Sequence, residues 1–518
     1  MSETPVLLLR TPAELHAWCD AQRLCGAPVH FVPTMGALHQ GHQRLIRRAA
    51  EPRGGGPPAV LVSVYVNPLQ FGASEDLDRY PRQLEQDLLL AAAAGAAALW
   101  APSTADMYPA GPSEVTRLLP PASLIAGLCG ASRPGHFEGV ATVVARLLAL
   151  VRPQRLLLGE KDWQQLVVLR RVVADLGLPL TIEGCGTVRQ GDGLALSSRN
   201  SYLNAVQVQQ AVALPRALQA AQAAAGHDRD AAALIALVTR QLEAAGLQID
   251  YVTLVAAHTL RPLSQLGPLA LLAAAVHCGP ARLIDHTFLM TRAPIVAIDG
   301  PAGAGKSTVT KAFAQHLGLI YLDTGAMYRA VTWWVQQQGV DPSDAAAVAP
   351  LLLGLDLRLG ADQSVQINGH DVTAAIRSPE VTAQVSTVAA HGCVREALTA
   401  QQQAMGQRGG LVAEGRDIGT AVFPDAELKV FLTATVAERA RRRAQDLRQR
   451  GFAVPELAEL EAQIAERDHL DSTRAIAPLQ QADDAVELVT DGMAIAAVIQ
   501  ALVDLFRSRI PEDAWPQP

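Results

Sequence analysis

Residues 295–307 read Ile295-Val296-Ala297-Ile298-Asp299-Gly300-Pro301-Ala302-Gly303-Ala304-Gly305-Lys306-Ser307, an apolar strand that runs into a glycine-rich loop. The loop fits G-x-x-x-x-G-K-[ST], and a helix is predicted over Lys306–Leu317 directly after it. Glycines let backbone N–H groups approach phosphates closely, the lysine neutralises the outer phosphates, and the serine hydroxyl suits Mg²⁺. This stretch therefore predicts a nucleotide-binding unit built on a parallel sheet.

A second phosphate-binding signature lies near the amino terminus. An apolar strand predicted over residues 29–32 leads into Pro33-Thr34-Met35-Gly36-Ala37-Leu38-His39-Gln40-Gly41-His42. His39 and His42 are three apart and share a face if a helix begins there, so that amides and imidazoles would surround one anion. Histidine pairs at this spacing also occur as ordinary surface or core residues. Two unrelated signatures predict two active sites in one chain.

Length and composition predict a cytoplasmic enzyme of several compact units. The chain has 518 residues, of which 49% are hydrophobic, and a formal net charge of −7. That length exceeds what one hydrophobic core organises. No uncharged apolar run reaches the roughly 18 residues that span a bilayer, and the start lacks a signal-peptide pattern, so no membrane partner is expected. The acidic balance does not favour nucleic-acid binding, and the six cysteines, which form no C-x-x-C pair, are expected to be reduced.

Strands that alternate with helices predict parallel α/β sheets. Ala-rich stretches without internal proline predict helices at residues 83–98, 211–225 and 230–245. Val- and Leu-rich runs predict buried strands at residues 60–66 and 156–158. A new strand begins just before the glycine-rich loop and leads directly into it, which places a domain boundary between about residues 279 and 292.

Further motifs accompany the first signature. They are Val66-Asn67-Pro68-Leu69-Gln70-Phe71, Asp76-Leu77-Asp78-Arg79-Tyr80-Pro81-Arg82, Arg133-Pro134-Gly135-His136-Phe137-Glu138-Gly139-Val140, Gly159-Glu160-Lys161-Asp162-Trp163-Gln164-Gln165 and Asp192-Gly193-Leu194-Ala195-Leu196-Ser197-Ser198-Arg199-Asn200. Lysine, arginine and hydroxyl donors are what a developing pyrophosphate leaving group needs. With these motifs in this order, residues 5–290 resemble pantothenate synthetase, the pantoate–β-alanine ligase of the HxGH nucleotidylyltransferase group.

This resemblance implies a fold and a reaction for the first half. The fold is a Rossmann-like part over about residues 1–186 and a small α+β subdomain over about residues 187–280. In the reaction, the carboxylate of pantoate attacks the α-phosphorus of ATP, which gives pantoyl adenylate and diphosphate, and the amine of β-alanine then displaces AMP. The resemblance also favours a homodimer through this half.

The resemblance assigns binding roles residue by residue. The ATP site comprises Met35, Gly36, Ala37, Leu38, His39, Gln40, Gly41, His42, Gly159, Glu160, Lys161, Asp162, Val188, Leu196, Ser197, Ser198 and Arg199. His42 is assigned as the proton donor with His39 beside it on the phosphates, while Lys161 and Arg199 offset the phosphate charge. Gln70 and Gln165 are assigned to pantoate and β-alanine, because amides bind carboxylate and hydroxyl groups without adding charge.

Three residues near this site have competing interpretations. Asp87 is a candidate for the Mg²⁺ shell, and the alternative is an exposed helical aspartate. His136 is better explained as a hydrogen-bonded histidine that fixes a loop. Arg133 either contacts substrate or pairs locally, and both are expected to act through their neighbours.

Motifs beyond the glycine-rich loop make residues 293–510 resemble cytidylate kinase. They are Asp323-Thr324-Gly325-Ala326-Met327-Tyr328-Arg329, Val394-Arg395-Glu396-Ala397-Leu398, Glu414-Gly415-Arg416-Asp417-Ile418-Gly419-Thr420, and Arg467 with Arg474. The resemblance implies a P-loop nucleoside monophosphate kinase domain over residues 293–518, which transfers the γ-phosphate of ATP to CMP or dCMP. UMP is the nearest rival acceptor, because selectivity rests on a few hydrogen bonds.

The second resemblance also assigns residues. ATP is assigned to Gly300, Pro301, Ala302, Gly303, Ala304, Gly305, Lys306, Ser307 and Thr308, with Lys306 catalytic and Ser307 on Mg²⁺. CMP is assigned to Thr324, Arg329, Ser386, Arg395, Arg416, Asp417, Arg467, Asp471 and Arg474. Ser386, Arg395 and Asp417 are expected to read the base. Two departures from the family pattern are Thr324, where serine is more frequent, and one extra residue near Arg467, which affects the alignment of Asp471.

The run Arg439-Ala440-Arg441-Arg442-Arg443 has three interpretations. It is a solvated helix face, a nucleic-acid patch, or part of a lid over about residues 438–474 that excludes water during transfer. The acidic chain and the lack of interleaved aromatic residues disfavour nucleic acid. We therefore expect a lid.

The sequence predicts a bifunctional enzyme, and two other hypotheses stay open. In one, a half has lost activity and serves as a nucleotide-sensing or assembly module. In the other, the HxGH pair belongs to a binder resembling an aminoacyl-tRNA synthetase, although no tRNA-binding extension is evident.

Overall fold

The chain folds into two units, each built on a parallel sheet. The structure is a computed structural model that describes residues 6–53, 56–72, 75–360, 362–449, 451, 453–474 and 476–516. The first unit runs to Thr291 and also includes Ile510–Pro516, and the second spans Arg292–Arg509. The predicted domains also cover residues 1–5 and 517–518, which lie outside the described residues. Every helix in the described ranges is too short or too polar to cross a bilayer.

The first unit alternates strands with helices along most of its length. Its strands are β1 (Leu7–Leu9), β2 (Val29–Thr34), β3 (Ala59–Val64), β4 (Ala98–Trp100), β5 (Arg155–Gly159), β6 (Thr181–Cys185), β7 (Gln248–Ala256), β8 (Leu269–Cys278) and β9 (Ala281–Met290). Its α-helices are α1 (Pro12–Leu24), α2 (Gln40–Ala50), α3 (Leu84–Ala94), α4 (Thr104–Met107), α5 (Ala122–Ile125), α6 (Cys129–Ser132), α7 (His136–Val151), α8 (Trp163–Asp175), α9 (Ala205–Ala211), α10 (Ala213–Ala224) and α11 (Ala231–Ala244). Short 3-10 helices occur at Pro68–Gln70, Pro112–Glu114, Glu160–Asp162 and Ser198–Tyr202.

The main sheet of this unit places the first signature at its centre. The strand order is β1-β4-β3-β2-β5-β6, and all these pairs are parallel. Strand β2 is apolar and buried because helices cover both faces of the sheet, as is usual for parallel strands. The strand order reverses beside β2, and ligands bind at the carboxyl ends of strands at such a switch point.

The small subdomain extends further than residue 280, the predicted end of the first domain. Strand β9 continues to Met290 because it pairs with β8 along its whole length, and β7 pairs with β8 on the other side. Helices α10 and α11 pack their apolar faces on this antiparallel sheet. The boundary between the units therefore falls at residues 291–292, inside the predicted interval of 279–292.

The second unit contains a parallel sheet and an antiparallel insert. Its strands are β10 (Ile295–Asp299), β11 (Ile320–Asp323), β12 (Leu357–Leu359), β13 (Val365–Ile367), β14 (His370–Asp371), β15 (Leu411–Glu414), β16 (Leu428–Thr433) and β17 (Val486–Val489). Its α-helices are α12 (Lys306–Leu317), α13 (Thr324–Gln337), α14 (Ala345–Val348), α15 (Pro379–Ala390), α16 (Gly392–Met405), α17 (Val436–Gln449), α18 (Leu457–Thr473) and α19 (Ile495–Arg509). Short turns of helix also occur at Ala349–Leu352, Ala375–Arg377 and Ile418–Val422.

The glycine-rich loop follows the central strand of the second unit. The parallel sheet has the order β11-β15-β10-β16-β17, and the insert pairs β12, β13 and β14. The carboxyl ends of β10, β11 and β15 bring the loop, Asp323–Arg329 and Glu414–Thr420 to one edge of the sheet. Helices α17 and α18, which overlap the predicted lid range, pack on each other through Ala440, Ala444, Leu460 and Ile464.

The predicted elements agree with the structure except at some ends. Helix α12 has the predicted bounds, and residues 230–245 contain α11. The helix predicted over residues 83–98 is too long, because Gly95 ends α3 in the left-handed conformation at φ +99° and the chain then enters β4. The prediction also missed that residues 510–516 belong to the first unit, since it gave the whole carboxyl terminus to the second.

Gly139→Ala should destabilise the first unit and displace the 3-10 helix Pro68–Gln70. A Cβ at Gly139 in α7 would lie 2.2 Å from the carbonyl oxygen of Leu69 and 2.7 Å from the backbone nitrogen of Gln70. Overpacking of this kind costs about 1–3 kcal/mol of unfolding free energy. Urea unfolding measures it. Gly127→Ala is the matched control because no atom lies within 4 Å of its Cβ position, and equal effects of both variants would contradict the prediction.

Candidate active sites

A buried aspartate holds the loop of the first signature. The loop joins β2 to α2 and turns through Gly36 and Ala37, whose φ angles are +85° and +50°. The Asp87 carboxylate of α3 accepts hydrogen bonds from the backbone N–H groups of Ala37 (3.0 Å) and Leu38 (2.7 Å). A Cβ at Gly36 would lie 3.0 Å from this carboxylate, so glycine permits the close approach.

The surroundings of Asp87 exclude one of its two sequence-based interpretations. Its exposed fraction is 0%, so the alternative of an exposed helical aspartate is wrong. Burial raises the pKa of Asp87, although the two N–H donors oppose this rise. In the described part of the chain, no cluster of three acidic, histidine or cysteine side chains could hold a metal. The Mg²⁺ role stays a prediction, and the visible task of Asp87 is to fix the loop.

The two histidines of the signature are fixed in one tautomer by the backbone. His39 caps α2, and its Nδ1 accepts the N–H of Gly41 at 3.1 Å. His42 lies one turn on, and its Nδ1 accepts the N–H of His39 at 3.3 Å. Since Nδ1 is an acceptor in each ring, a neutral ring carries its proton on Nε2. The ring centroids are 4.2 Å apart, so the expected shared face is confirmed.

Both imidazoles are neutral near pH 7. Burial, with Lys161 nearby, lowers the pKa of His39 to about 4. Burial, with His39 nearby, lowers the pKa of His42 to about 3. Each ring is thus an N–H hydrogen-bond donor, and it becomes a proton donor once a neighbouring anion raises its pKa.

The cations assigned to the ATP phosphates lie at the carboxyl end of β5 and in the loop after β6. Lys161 Nζ is 3.9 Å from Asp162. Burial would raise the pKa of Asp162, but Lys161 and Arg199 outweigh it and lower that pKa. Arg199 makes two hydrogen bonds to Asp76, of 2.9 and 3.0 Å. Asp76 was part of a quoted motif, yet this pairing could not be read from it.

Polar contacts fix both the side chain and the backbone of Gln70. Its Nε2 lies 3.0 Å from the sulfur of Met35, and its Oε1 accepts from Asn67 at 3.2 Å. Its carbonyl oxygen lies 2.8 Å from Nδ1 of His136 and 3.3 Å from Arg133. The expectation that His136 fixes a loop agrees with this geometry. Arg133 also pairs with Glu75 at 2.5 Å, which agrees with the alternative of local pairing.

A cavity of about 400 Å³ contains part of the predicted ligase site. Its walls include five predicted residues, which are Lys161, Asp162, Gln165, Ser197 and Arg199. A smaller cavity of about 290 Å³ is lined by Met35, Gly36 and Asp87 among others. The structure thus brings the strand-end cations and Gln165 into one concave space.

The side chain of Lys306 donates hydrogen bonds to the backbone of the glycine-rich loop that precedes it. Gly300, Gly303 and Gly305 have φ angles of +147°, +76° and +87°. A Cβ at Gly300 would lie 2.0 Å from the carbonyl oxygen of Leu432, so only glycine fits there. Lys306 Nζ donates to the carbonyl oxygens of Gly300 (2.7 Å) and Pro301 (2.9 Å). Burial lowers the pKa of Lys306, and Arg416 adds to this effect.

Two buried acids that sequence reasoning did not assign support this loop. Asp299 accepts from the N–H groups of Ile418 (2.8 Å) and Gly419 (2.7 Å), and burial raises its pKa to about 6. Glu414 accepts from the hydroxyl of Ser307 at 2.5 Å and from that of Tyr321 at 2.9 Å. Each acid is the last residue of a strand and lies within a quoted stretch, which is the signal that could have identified it.

The arginines assigned to the CMP phosphate form a crowded cationic group. Arg416 pairs with Asp471 at 3.0 Å, so Asp471 lies beside an assigned arginine. Burial, together with Arg416, lowers the pKa of Arg467. Within the described ranges, Nε of Arg329, Nε of Arg467 and Nη2 of Arg474 are buried without a hydrogen-bond partner. Buried guanidinium donors without partners, beside like charges, favour the binding of an anion.

The other assigned CMP residues differ in their contacts. Arg395 and Asp417 form a buried hydrogen-bonded ion pair. Thr324 donates its hydroxyl to the carbonyl oxygen of Glu414 at 2.7 Å. Ser386 is half-buried on α15. The Thr324 hydroxyl keeps its lone pairs as acceptors, but its proton is already engaged by the backbone.

The arginine run on α17 contacts the glycine-rich loop. Arg439 donates to the carbonyl oxygen of Ala302 at 3.1 Å and also binds Asp468. Arg442 donates to the carbonyl oxygen of Ala304 at 3.1 Å. Arg441 is exposed and pairs with Glu438. Two of these side chains therefore contact the backbone of the glycine-rich loop, and the lid stays a prediction.

Two protein families match the two halves. The family model described as pantoate-beta-alanine ligase matches residues 7–288, and that described as cytidylate kinase matches residues 296–508. A protein of Parasynechococcus marenigrum (strain WH8102), named bifunctional pantoate ligase/cytidylate kinase, is 66% identical over 99% of this chain and 100% of its own length. A protein with the same name from Prochlorococcus marinus (strain MIT 9313) is 64% identical over 97% of this chain and 99% of its own.

Solved structures match the first half. The crystal structure of pantothenate synthetase from Thermus thermophilus is 45% identical in sequence. It superposes with a TM-score of 0.50 and covers 54% of this chain and 98% of that chain. The similarity in fold thus spans nearly the whole of the solved protein.

Asp87→Asn should loosen the loop of the first signature. The amide keeps the volume of the side chain but places an NH₂ donor against a backbone N–H donor, which costs about 1–3 kcal/mol. We expect faster hydrogen exchange of the Ala37 and Leu38 amides and a lower melting temperature of the first unit. Asp20→Asn is the control, because its exposed ion pair with Arg23 contributes little. Unchanged exchange at both amides would contradict the role of Asp87.

His39 and His42 should both be neutral Nε2–H tautomers at pH 6. Their pKa values of about 4 and about 3 lie below this pH, and each Nδ1 is occupied by a backbone N–H. Since these pKa values lie below that of an unfolded histidine, their contribution to stability is full above pH 6.5 and declines as the pH falls toward 4. Long-range ¹H–¹⁵N spectra of histidine-labelled protein report the tautomer. Signals are assigned with His39→Asn and His42→Asn, and a cationic pattern at pH 6 would refute the assignment.

Proposed function

We propose roles for the site residues of this chain, which belongs to the family of bifunctional pantoate ligase/cytidylate kinases. The first unit is the ligase and the second is the kinase, so the resemblance stated for each half is confirmed. The ligase joins (R)-pantoate to β-alanine with ATP. The kinase phosphorylates CMP or dCMP with ATP.

In the ligase, the two Nε2–H groups act on the phosphates. The carboxylate of pantoate attacks the α-phosphorus, the bond to the β,γ-diphosphate breaks, and pantoyl adenylate forms. His39 and His42 donate to phosphate oxygens that gain charge in this step, and Lys161 and Arg199 offset the charge of the leaving diphosphate. The amine of β-alanine then attacks the acyl carbon, and AMP leaves. Support comes from the fixed tautomers, because they leave an N–H donor on Nε2 of each ring without reorganisation.

The substrates of the ligase are oriented by neutral amides. Gln70 is held by Asn67, Met35 and His136, so its position is defined before substrate binds. Gln165 lines the cavity that also contains Lys161. Near the reacting carboxylate, an amide binds oxygen without stabilising the ground-state anion as strongly as a cation would. When phosphate binds, Arg199 replaces part of its contact with Asp76 by contact with the phosphate.

In the kinase, the buried guanidinium donors that lack partners are the observation that carries the proposal. A phosphate monoester dianion of CMP supplies acceptors for Arg329, Arg467 and Arg474 and relieves their mutual repulsion. Lys306 leaves the loop carbonyls for the outer phosphates of ATP. Arg439 and Arg442, which contact the loop, belong to the proposed lid that excludes water so that phosphate passes to CMP.

The buried pair of Arg395 and Asp417 suits cytosine. Cytosine presents an amino donor beside ring acceptors, and the pair offers one acceptor beside one donor. Uracil presents a carbonyl oxygen in place of the amino group, which would leave the carboxylate facing another acceptor. We therefore favour CMP or dCMP over UMP.

The donor set beside the glycine-rich loop fits Mg²⁺. Ser307 Oγ and the carboxylate of Glu414 are hard oxygen ligands, and they lie within 2.5 Å of each other. Mg²⁺ bound with ATP supplies positive charge to the phosphate oxygens. Asp87 in the ligase fits less well, because both of its oxygens accept backbone N–H groups. A homodimer through the ligase stays a prediction from the family resemblance.

His42→Ala and Lys306→Ala should separate the two activities. The first variant removes an Nε2–H donor and should lower pantothenate formation by about 10²–10³-fold, and the second should lower CMP phosphorylation by at least as much. Each variant should keep the other activity within twofold. Purified protein is incubated with ATP and Mg²⁺ plus either pantoate and β-alanine, CMP, or UMP. AMP and diphosphate should appear in the first case, and ADP with CDP in the second.

The same assay tests the alternatives. A wild-type chain active in only one reaction would support the hypothesis in which one half serves as a sensing or assembly module. Faster turnover of UMP than of CMP would overturn the base assignment. Equal loss of both activities in a folded single variant would contradict two independent sites.

A further inference from the structure

The last described residues of the chain are part of the ligase unit. Helix α19 ends at Arg509, and Ile510–Pro516 group with the first unit. Ile510 is buried, and Ala514 packs against the main core of that unit. The backbone turns at this point, because the N–H groups of Ala514 and Trp515 both donate to the carbonyl oxygen of Pro511. We call residues 510–516 the terminal segment.

The side chains of the terminal segment bind the loop that follows β6. Glu512 Oε2 accepts the backbone N–H of Gly186 at 2.9 Å. Asp513 accepts both the backbone N–H of Thr187 at 2.8 Å and its hydroxyl at 2.6 Å. A Cβ at Gly186 would lie 2.9 Å from Asp513 Oδ1, so the approach depends on glycine. Val188, which directly follows Thr187, is assigned to the ATP site.

The backbone of the terminal segment binds the turn that follows β5. Both oxygens of Glu160 accept backbone N–H groups at 2.8 Å, one from Glu512 and one from Asp513. The exposed fraction of Glu160 is 1%. Burial raises the pKa of Glu160, and the charge of Asp513 adds to this rise. Loss of both donors would leave a buried carboxylate without these bonds, which is unfavourable. The next residue, Lys161, is assigned to the phosphates.

A third contact reaches the helix of the first signature. Arg44 of α2 pairs with Glu512 at 2.7 Å. Arg44 is two residues after His42, at the amino-terminal end of the helix. The terminal segment therefore touches three chain regions that are far apart in sequence and that all contribute to the predicted ATP site.

We propose that the terminal segment is a positioning element of the ligase ATP site, in which Glu512 and Asp513 hold the turn at Glu160–Asp162 and the loop at Gly186–Val188 in register with α2. The inference rests on the proposed ligase function. The segment touches Glu160, which is assigned to the ATP site, and Gly186 and Thr187, which precede the assigned Val188, so Glu512 and Asp513 act through these three residues.

A chain that ends at Ile510 tests the proposal. This variant keeps the buried Ile510 and the whole kinase unit and removes every contact described for Glu512 and Asp513. We expect the KM for ATP in the ligase reaction to rise about tenfold, as the loss of one to two net hydrogen bonds implies. The KM values for pantoate and β-alanine and the kinase parameters should change less than twofold. Equal changes in all ligase parameters, or a matching loss in the kinase, would overturn the proposal.

Point variants give a test that does not depend on truncation. Asp513→Ala removes both acceptors of Thr187 and should raise the KM for ATP severalfold. Asp513→Asn should keep the KM for ATP close to the wild-type value, because its amide oxygen accepts the N–H of Thr187 and its NH₂ group donates to the hydroxyl. Asp483→Ala removes an exposed acid from the kinase unit and is the matched control. Identical behaviour of Asp513→Ala and Asp483→Ala would overturn the proposal.

Hydrogen exchange separates this inference from the ligase assignment. Amides of residues 184–188 should exchange at least tenfold faster in Asp513→Ala and in the shortened chain than in the full chain. This readout needs no substrate, so an absence of pantothenate formation in the wild type would refute the ligase function while exchange still tests the docking. Faster exchange with an unchanged KM for ATP would reduce the segment to a structural clamp and overturn its positioning role.

Discussion

Three buried carboxylates of this chain each accept two backbone N–H groups from a distant loop or turn. Asp87 binds the loop after β2, Asp299 binds the segment after β15, and Glu160 binds the terminal segment. An ionised carboxylate is expensive to bury, so each is stable only where two donors meet it. In return, each connects a predicted phosphate-binding loop to a distant part of the chain, which keeps the loop in a defined conformation.

The two predicted sites contain different kinds of hydrogen-bond donors for anions. The ligase contains neutral imidazoles with fixed protons, and in the proposed roles these bind phosphate through hydrogen bonds while Lys161 and Arg199 add positive charge. The kinase keeps several guanidinium groups close together, and their unpaired donors favour occupation by a phosphate. The difference matches the bonds that break, because the ligase acts at the α-phosphorus and the kinase transfers the outer phosphoryl group.

The local patterns of the sequence predicted much of the fold and the motifs of each site. Helix α12 and strand β10 follow from periodicity and glycine spacing, and the pairing of His39 with His42 follows from their separation of three residues. The partners of these residues were less accessible, because Asp87 and Asp76 are distant in sequence from the groups they bind. The end of the first domain was placed short at residue 280, since the pairing of β9 with β8 is set by the sheet and not by composition. The terminal segment was missed because it is short and contains no motif, so its sequence does not indicate which unit it packs on.

The first unit is discontinuous in sequence, and this has a consequence for its biosynthesis. Residues up to Thr291 leave the ribosome early, whereas Ile510–Pro516 leave it after the whole of the second unit. Domains generally fold during synthesis from the amino terminus. The ligase unit can form its sheets at that stage, but its last contacts close only when translation has passed the second unit. A chain that stops early thus yields a ligase without its final piece, and the order of synthesis couples completion of one enzyme to translation of the other.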